Sequence, residues 1–219
     1  MGLRPAQLAH RSVTSLAFRT MGPHHWTRSR VLVAAATVLV LFLALTAVLF
    51  VWPATNVPQR VNAIVVLSGS PWSARWQRGL ELARDGYAPV LVRSDPSWSP
   101  CPRGPARVEV ICFDPVPATT QGEAVDVARI AAKHRWHRLL VVTIVTQTTR
   151  ARIRFERCYH GAVLFSAVNP RGAVGWLFNI AYEWGALGKA LILQRGCGSG
   201  PPEKVQIVPP SRVVITRRT

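Results

Sequence analysis

The hydrophobic pattern changes period several times along the chain, and each change marks an element. Val31–Trp52, VLVAAATVLVLFLALTAVLFVW, is an unbroken apolar stretch without a charge. At a rise of 1.5 Å per residue its roughly 22 residues span about 33 Å, enough to cross a hydrocarbon core, so it predicts one transmembrane helix. A cleaved signal peptide is the rival reading, but the run exceeds a typical signal core and no small-x-small site follows directly. Beyond it, short runs of aliphatic and β-branched residues predict strands at Val61–Leu67, Pro89–Val92, Val108–Phe113, Leu139–Thr143 and Ala162–Phe165. Apolar residues three and four apart predict the helices between them. These are Ser73–Asp85, Thr120–Lys133, a helix beyond the Thr146–Thr149 crest carrying Ala151, Phe155 and Cys158, and Trp176–Leu193.

Strands that are continuously apolar, and joined through helices, lie buried in a mainly parallel sheet with right-handed crossovers. The expected class is therefore α/β, with about five strands, preceded by one membrane helix. The organisation follows: a basic segment at 1–30, the membrane helix at 31–52, a linker with two prolines at 53–60, the α/β domain at 61–195, and a tail at 196–219. The tail is rich in Gly and Pro and reads as largely flexible, with Val213–Ile215 a candidate edge strand.

Charge refines this picture. Lys and Arg number 27 against 10 Asp and Glu, a formal net charge of +17. Such an excess suits nucleic acid, anionic lipid or an anionic polymer. No basic run is long enough to track a phosphate backbone, so no nucleic-acid partner is expected. Arg4, Arg11, Arg19, Arg28 and Arg30 precede the apolar helix, and no acidic residue occurs before Glu81. The positive-inside rule then leaves the N-terminus in the cytoplasm, the bilayer as a partner, and the domain from about Pro53 outside the cell membrane.

Cys101, Cys112, Cys158 and Cys197 all fall on that outer side, where disulfides persist. No CxxC pair and no His at ligand spacing accompanies them, so no metal site is expected. Of three possible pairings, Cys101–Cys112 with Cys158–Cys197 is favoured: one clips the Pro-rich 94–107 excursion to the third strand, the other ties the last helix to the end of the helix before it. Loops of these lengths are worth about 3 and about 4 kcal/mol in a chain-entropy treatment.

Candidate chemistry gathers where strands give way to helices, because that edge of a parallel sheet carries small residues and free helical N–H groups. Three crests qualify: Ser68-Gly69-Ser70 followed by Arg75 and Arg78; Thr119, Thr120 and Glu123; and Gln147 with Arg150. Hydroxyls there cap helices or bind ligands, and arginine recognises anions bidentately. Taken separately, Ser-Gly-Ser reads as a turn, Thr120 with Glu123 as a capping box, and Arg150 as part of a solvated face. Nucleophile elbow, Walker loop, HExxH and GxGxxG motifs are absent. Glu123 and Glu183 are the candidate general bases, without an evident nucleophile.

The order of these pieces resembles the YdcF/SanA/ElyC-like family of bacterial envelope proteins. The likeness covers about residues 61–193 and rests on VNAIVVLSGS, RWQRGLELARDGYAPVLV, TTQGEA and HRWHRLLVVTIVTQTTRARIRF. Thr143 and Arg150-Ala151 match the family's strand-crest-Arg-Ala pattern, while Ile144 stands where Ser is usual and Gln147 where His is usual. The resemblance implies a Rossmann-like three-layer domain, a role in peptidoglycan or lipid-carrier metabolism, and site positions at Ser68, Gly69, Ser70, Thr120, Glu123, Gln147, Arg150 and Glu183. Gln147 can bond a ligand but cannot shuttle a proton. The leading expectation is an anionic or phosphorylated envelope precursor held by Arg75, Thr119, Thr120, Gln147 and Arg150. S-adenosylmethionine or a similar nucleoside, which one family member binds, is the alternative ligand, and a non-catalytic scaffold using Trp72 and Trp98 is the third reading. No cofactor is assigned.

Overall fold

The structure is a computed structural model that describes residues 23–70, 72–95, 100–198 and 204–210. Two compact units emerge, Met1–Phe42 and Leu43–Thr219. Helix α1 (Pro23–Thr46) supplies the described part of the first unit, and its C-terminal residues open the second. Arg28–Val51 is the one described helical stretch long and apolar enough to cross a membrane. Within it Thr37 donates its hydroxyl to the Val33 carbonyl at 2.9 Å, which satisfies this mid-helix polar side chain internally. The last turn, Ala47–Val51, widens to π geometry and ends at Trp52.

In the second unit six strands form one mixed sheet: β1 (Ala63–Val66), β2 (Val90–Ser94), β3 (Glu109–Asp114), β4 (Arg138–Ile144), β5 (Ala162–Val168) and β6 (Lys204–Val208). Their spatial order is β5-β4-β1-β2-β3-β6, parallel except for β6. All four residues of β1 are fully buried, because neighbours flank it on both sides and helices cover both faces. Ala63 and Val65 face a core shared with α3 (Thr120–His134) and α4 (Thr148–Cys158). Ile64 and Val66 face a second core built with α2 (Trp72–Arg84). A final helix, α5 (Gly172–Ile192), packs on α4 and on the 3-10 turn Val145–Gln147 that joins β4 to α4.

The sheet has six strands where the apolar runs suggest five. The sixth comes from the tail, which reads as flexible for its Gly and Pro; Lys204–Val208 instead pairs antiparallel with β3, Val208 opposite Val110 and Lys204 opposite Asp114. The candidate edge strand Val213–Ile215 lies outside the described residues. The linker is also fastened: Asn56 exchanges backbone and side-chain bonds with Phe165 at 2.9 Å, and Arg152 donates to Ala54 O at 2.8 Å. The linker thereby lies against the outer strand β5 at Phe165, while β6 covers the free side of β3 and is itself the exposed edge of the sheet. Cys101–Cys112 and Cys158–Cys197 form the two disulfides in the favoured pairing.

Candidate functional site

Chain order reverses between β1 and β4: β2 and β3 extend the sheet to one side of β1, then β4 and β5 return to the other. At such a switch point the connections diverge and leave a crevice at the strands' carboxyl ends. A cleft of about 430 Å³ lies there, between the crests and α5. Ser68, Gly69, Ser70, Arg75, Thr119, Thr120, Glu123, Gln147, Arg150 and Glu183, all singled out in the sequence, line it together. Arg78 stands apart, bonded to Ser166 and Glu81.

The β1 rim is a braced loop. Arg75 is 2% exposed and turns its guanidinium back on the crest, donating through Nη1 to the carbonyls of Ser68 and Leu67 and through Nη2 to Ser70 O at 2.8 Å. Gly69 sits at φ +102°, a left-handed conformation that favours glycine, and a Cβ there would lie 3.3 Å from Arg75 Nη2. Burial pushes the Arg75 pKa down to about 10, with Glu123 and Glu183 opposing the shift and Arg150 adding to it. The group is therefore charged at neutral pH. Its Nε has no acceptor among the described residues.

Glu123 completes the brace, accepting the Ser68 N–H at 2.7 Å from across the cleft. The capping-box reading of Thr120 with Glu123 is corrected here. Thr119 is the N-cap, accepting from Gly122 N at 3.2 Å, and its own N–H is taken by Pro117 O, so no donor remains for Glu123 to reach back to. Gly122 is required at that turn because a Cβ would collide with the Pro117 carbonyl.

The opposite rim is a ring of side chains. The Thr143 hydroxyl donates to Gln147 Oε1 at 2.9 Å, and Gln147 Nε2 donates to Thr120 Oγ1 at 2.9 Å. Arg150 Nη1 donates to the same Thr120 oxygen at 2.8 Å, while its Nε and Nη2 grip Glu183 at 2.7 and 2.8 Å. Arg150 is 9% exposed and Glu183 2%, which corrects the reading of Arg150 as part of a solvated face. Burial acts to lower the Arg150 pKa, but the hydrogen bonds and charge of Glu183 outweigh it and leave the group above its ordinary value. The Tyr182 ring lies 5.9 Å from this guanidinium.

Thr120 Oγ1 thus accepts two donors, filling both lone pairs, and its own proton has no acceptor among the described residues. That leaves the hydroxyl as a donor to whatever enters. Arg154 and Lys189 bring the cleft's basic side chains to four, against Glu123 and Glu183. Arg154 is 3% exposed and bonds the Gln194 carbonyl at 2.6 Å; burial, then Arg157 and Arg150, lower its pKa. Arg154 was legible as the residue one turn beyond Arg150 on the same helix face. Asn179, Tyr182, Lys189 and Gln194 had no sequence signal beyond their distance from Glu183.

Neither carboxylate is paired with a nucleophile: Glu123 holds backbone and Glu183 holds Arg150. Among the described residues, no group of three His, Cys, Asp or Glu could hold a metal ion. No protein-family model, curated protein or solved structure matches the chain.

Proposed function

We propose that this protein is a single-pass, outward-facing Rossmann-like domain of the YdcF/SanA/ElyC type that binds a phosphorylated or otherwise anionic cell-envelope precursor in the cleft. Peptidoglycan and lipid-carrier intermediates are the fitting substrate class. The observation that carries the reading is the Thr120 hydroxyl, whose proton is left to a ligand acceptor by two converging donors, in a cleft with more cations than carboxylates. A phosphate oxygen meets that demand, since it accepts only, and the free N–H groups at the start of α3 favour it further. The outward orientation is supported by the arginines ahead of the apolar helix and by two disulfides, which persist in oxidising compartments.

The test is calorimetric titration of the detergent-solubilised full chain with pyrophosphate as a minimal probe. Saturable binding is expected, retained by Thr120→Ser and weakened about tenfold or more by Thr120→Val, as for one charge-assisted hydrogen bond. Absence of binding to the unaltered chain, or equal binding by the two variants, overturns the reading.

A further inference from the structure

Helix α5 is apolar around nearly its whole circumference, yet one side of it has no cover among the described residues. Trp184, Leu187 and Ala190 face inward with Glu183. The outward stripe recurs at helical spacing through Val174, Leu177, Phe178, Tyr182 and Ile192, with exposures of 81, 72, 71, 58 and 65%. Five large apolar side chains along one face exceed the scattered exposure normal for a soluble surface. The stripe contains no carboxylate, and its one charge is Lys189, near the C-terminal end.

What covers this face is indicated by where α5 is tied. Trp184 packs edge-on against Phe50 with ring centroids 5.2 Å apart, and its Nε1 donates to Thr46 Oγ1 at 3.2 Å. Thr46 and Phe50 lie in the last two turns of the apolar helical stretch Arg28–Val51, so α5 is fastened near where that stretch would leave the bilayer. Trp52, 76% exposed, stands beside this point, as an aromatic residue of the headgroup belt would. An apolar face with a basic flank, held at that level, matches a helix lying in the plane of the membrane interface.

We infer that α5 seats its Val174–Ile192 stripe in the outer leaflet as an interfacial helix, with a lipid bilayer as the occupant of its uncovered face. Phe178, Tyr182 and Lys189 belong both to the stripe and to the cleft lining, so the cleft then opens at headgroup depth and takes its anionic ligand from the membrane. The inference rests on the reading of Arg28–Val51 as a membrane span, and its ligand consequence rests on the proposed function.

Site-directed spin labelling of the full chain in anionic phospholipid vesicles tests it. Single cysteines replace Val174, Leu177 and Ile192, with Leu39→Cys on α1 as the lipid reference and Gln77→Cys on the exposed side of α2 as the water reference; the native cysteines are paired and do not take label. The expected result is high oxygen and low nickel-chelate accessibility at all three α5 positions, as at Leu39. Nickel accessibility equal to that of Gln77 overturns the inference, and shielding from both reagents overturns it in favour of a second copy or another protein. Leu39 reading as water overturns the span and the inference together, whereas pyrophosphate binding is scored separately and stands or falls alone.

Discussion

The two rims of the cleft use arginine in opposite ways. On the β1 rim Arg75 spends its donors on the carbonyls of Leu67, Ser68 and Ser70 and shapes a loop of backbone. On the β4 rim Arg150 is neutralised by Glu183 and directs its Nη1 at Thr120, setting the orientation of a hydroxyl that faces the cleft. Both side chains are buried and cationic, so charge and burial do not separate frame from contact. The partner does: carbonyls already committed to a turn make a frame, whereas a hydroxyl with a spare proton makes a contact.

The largest effect that would sharpen this contrast comes from Glu183→Ala. It leaves Arg150 charged and unpaired in the interior, and a loss of about 3–5 kcal/mol in denaturant unfolding is expected. A loss under 1 kcal/mol would mean that solvent reaches the pair and that the ring is not closed. Arg75→Ala strands three loop carbonyls, of which that of Leu67 belongs to a residue with no exposed surface, and should cost about 3 kcal/mol. Because the loop then loses its shape, pyrophosphate affinity falls with stability; unchanged affinity would break the assignment of this rim as the frame. Gly69→Ala forces a Cβ into a positive-φ residue against Arg75, for about 1 kcal/mol, read by the same unfolding curves. Lys189→Glu, on an exposed position, is expected within about 0.5 kcal/mol of the unaltered chain while weakening pyrophosphate binding. If it destabilised as much as Glu183→Ala, Lys189 would belong to the ring rather than to its open side.

Much of this architecture was legible because burial writes itself into composition. Ala63–Leu67 and Leu139–Val142 are continuously apolar because both their faces are covered, and that continuity names them as inner parallel strands. The gathering of Ser68, Thr120 and Arg150 at one edge followed from the order of strands and helices alone. Direction was not legible. Nothing in the sequence says that Arg75 folds back on its own loop, or that Glu123 leaves its helix to hold Ser68, since both depend on the distance between crests. The strand Lys204–Val208 was hidden by its proline-rich surroundings in the sequence, which read as a flexible tail, although Pro209-Pro210 directly follows a five-residue edge strand.

The position of β1 between β2 and β4 has a consequence for biogenesis. As the polypeptide is made, Ala63–Val66 can pair with β2 early, but its other side waits until Arg138–Ile144 has been synthesised. Throughout that interval the most water-averse segment of the sheet presents an unmatched row of amides to the ribosome exit or the translocation machinery, where intermolecular pairing competes with folding. Nascent chains that stall before β4 should therefore be the ones that aggregate or are degraded, and a holding chaperone would act within that window.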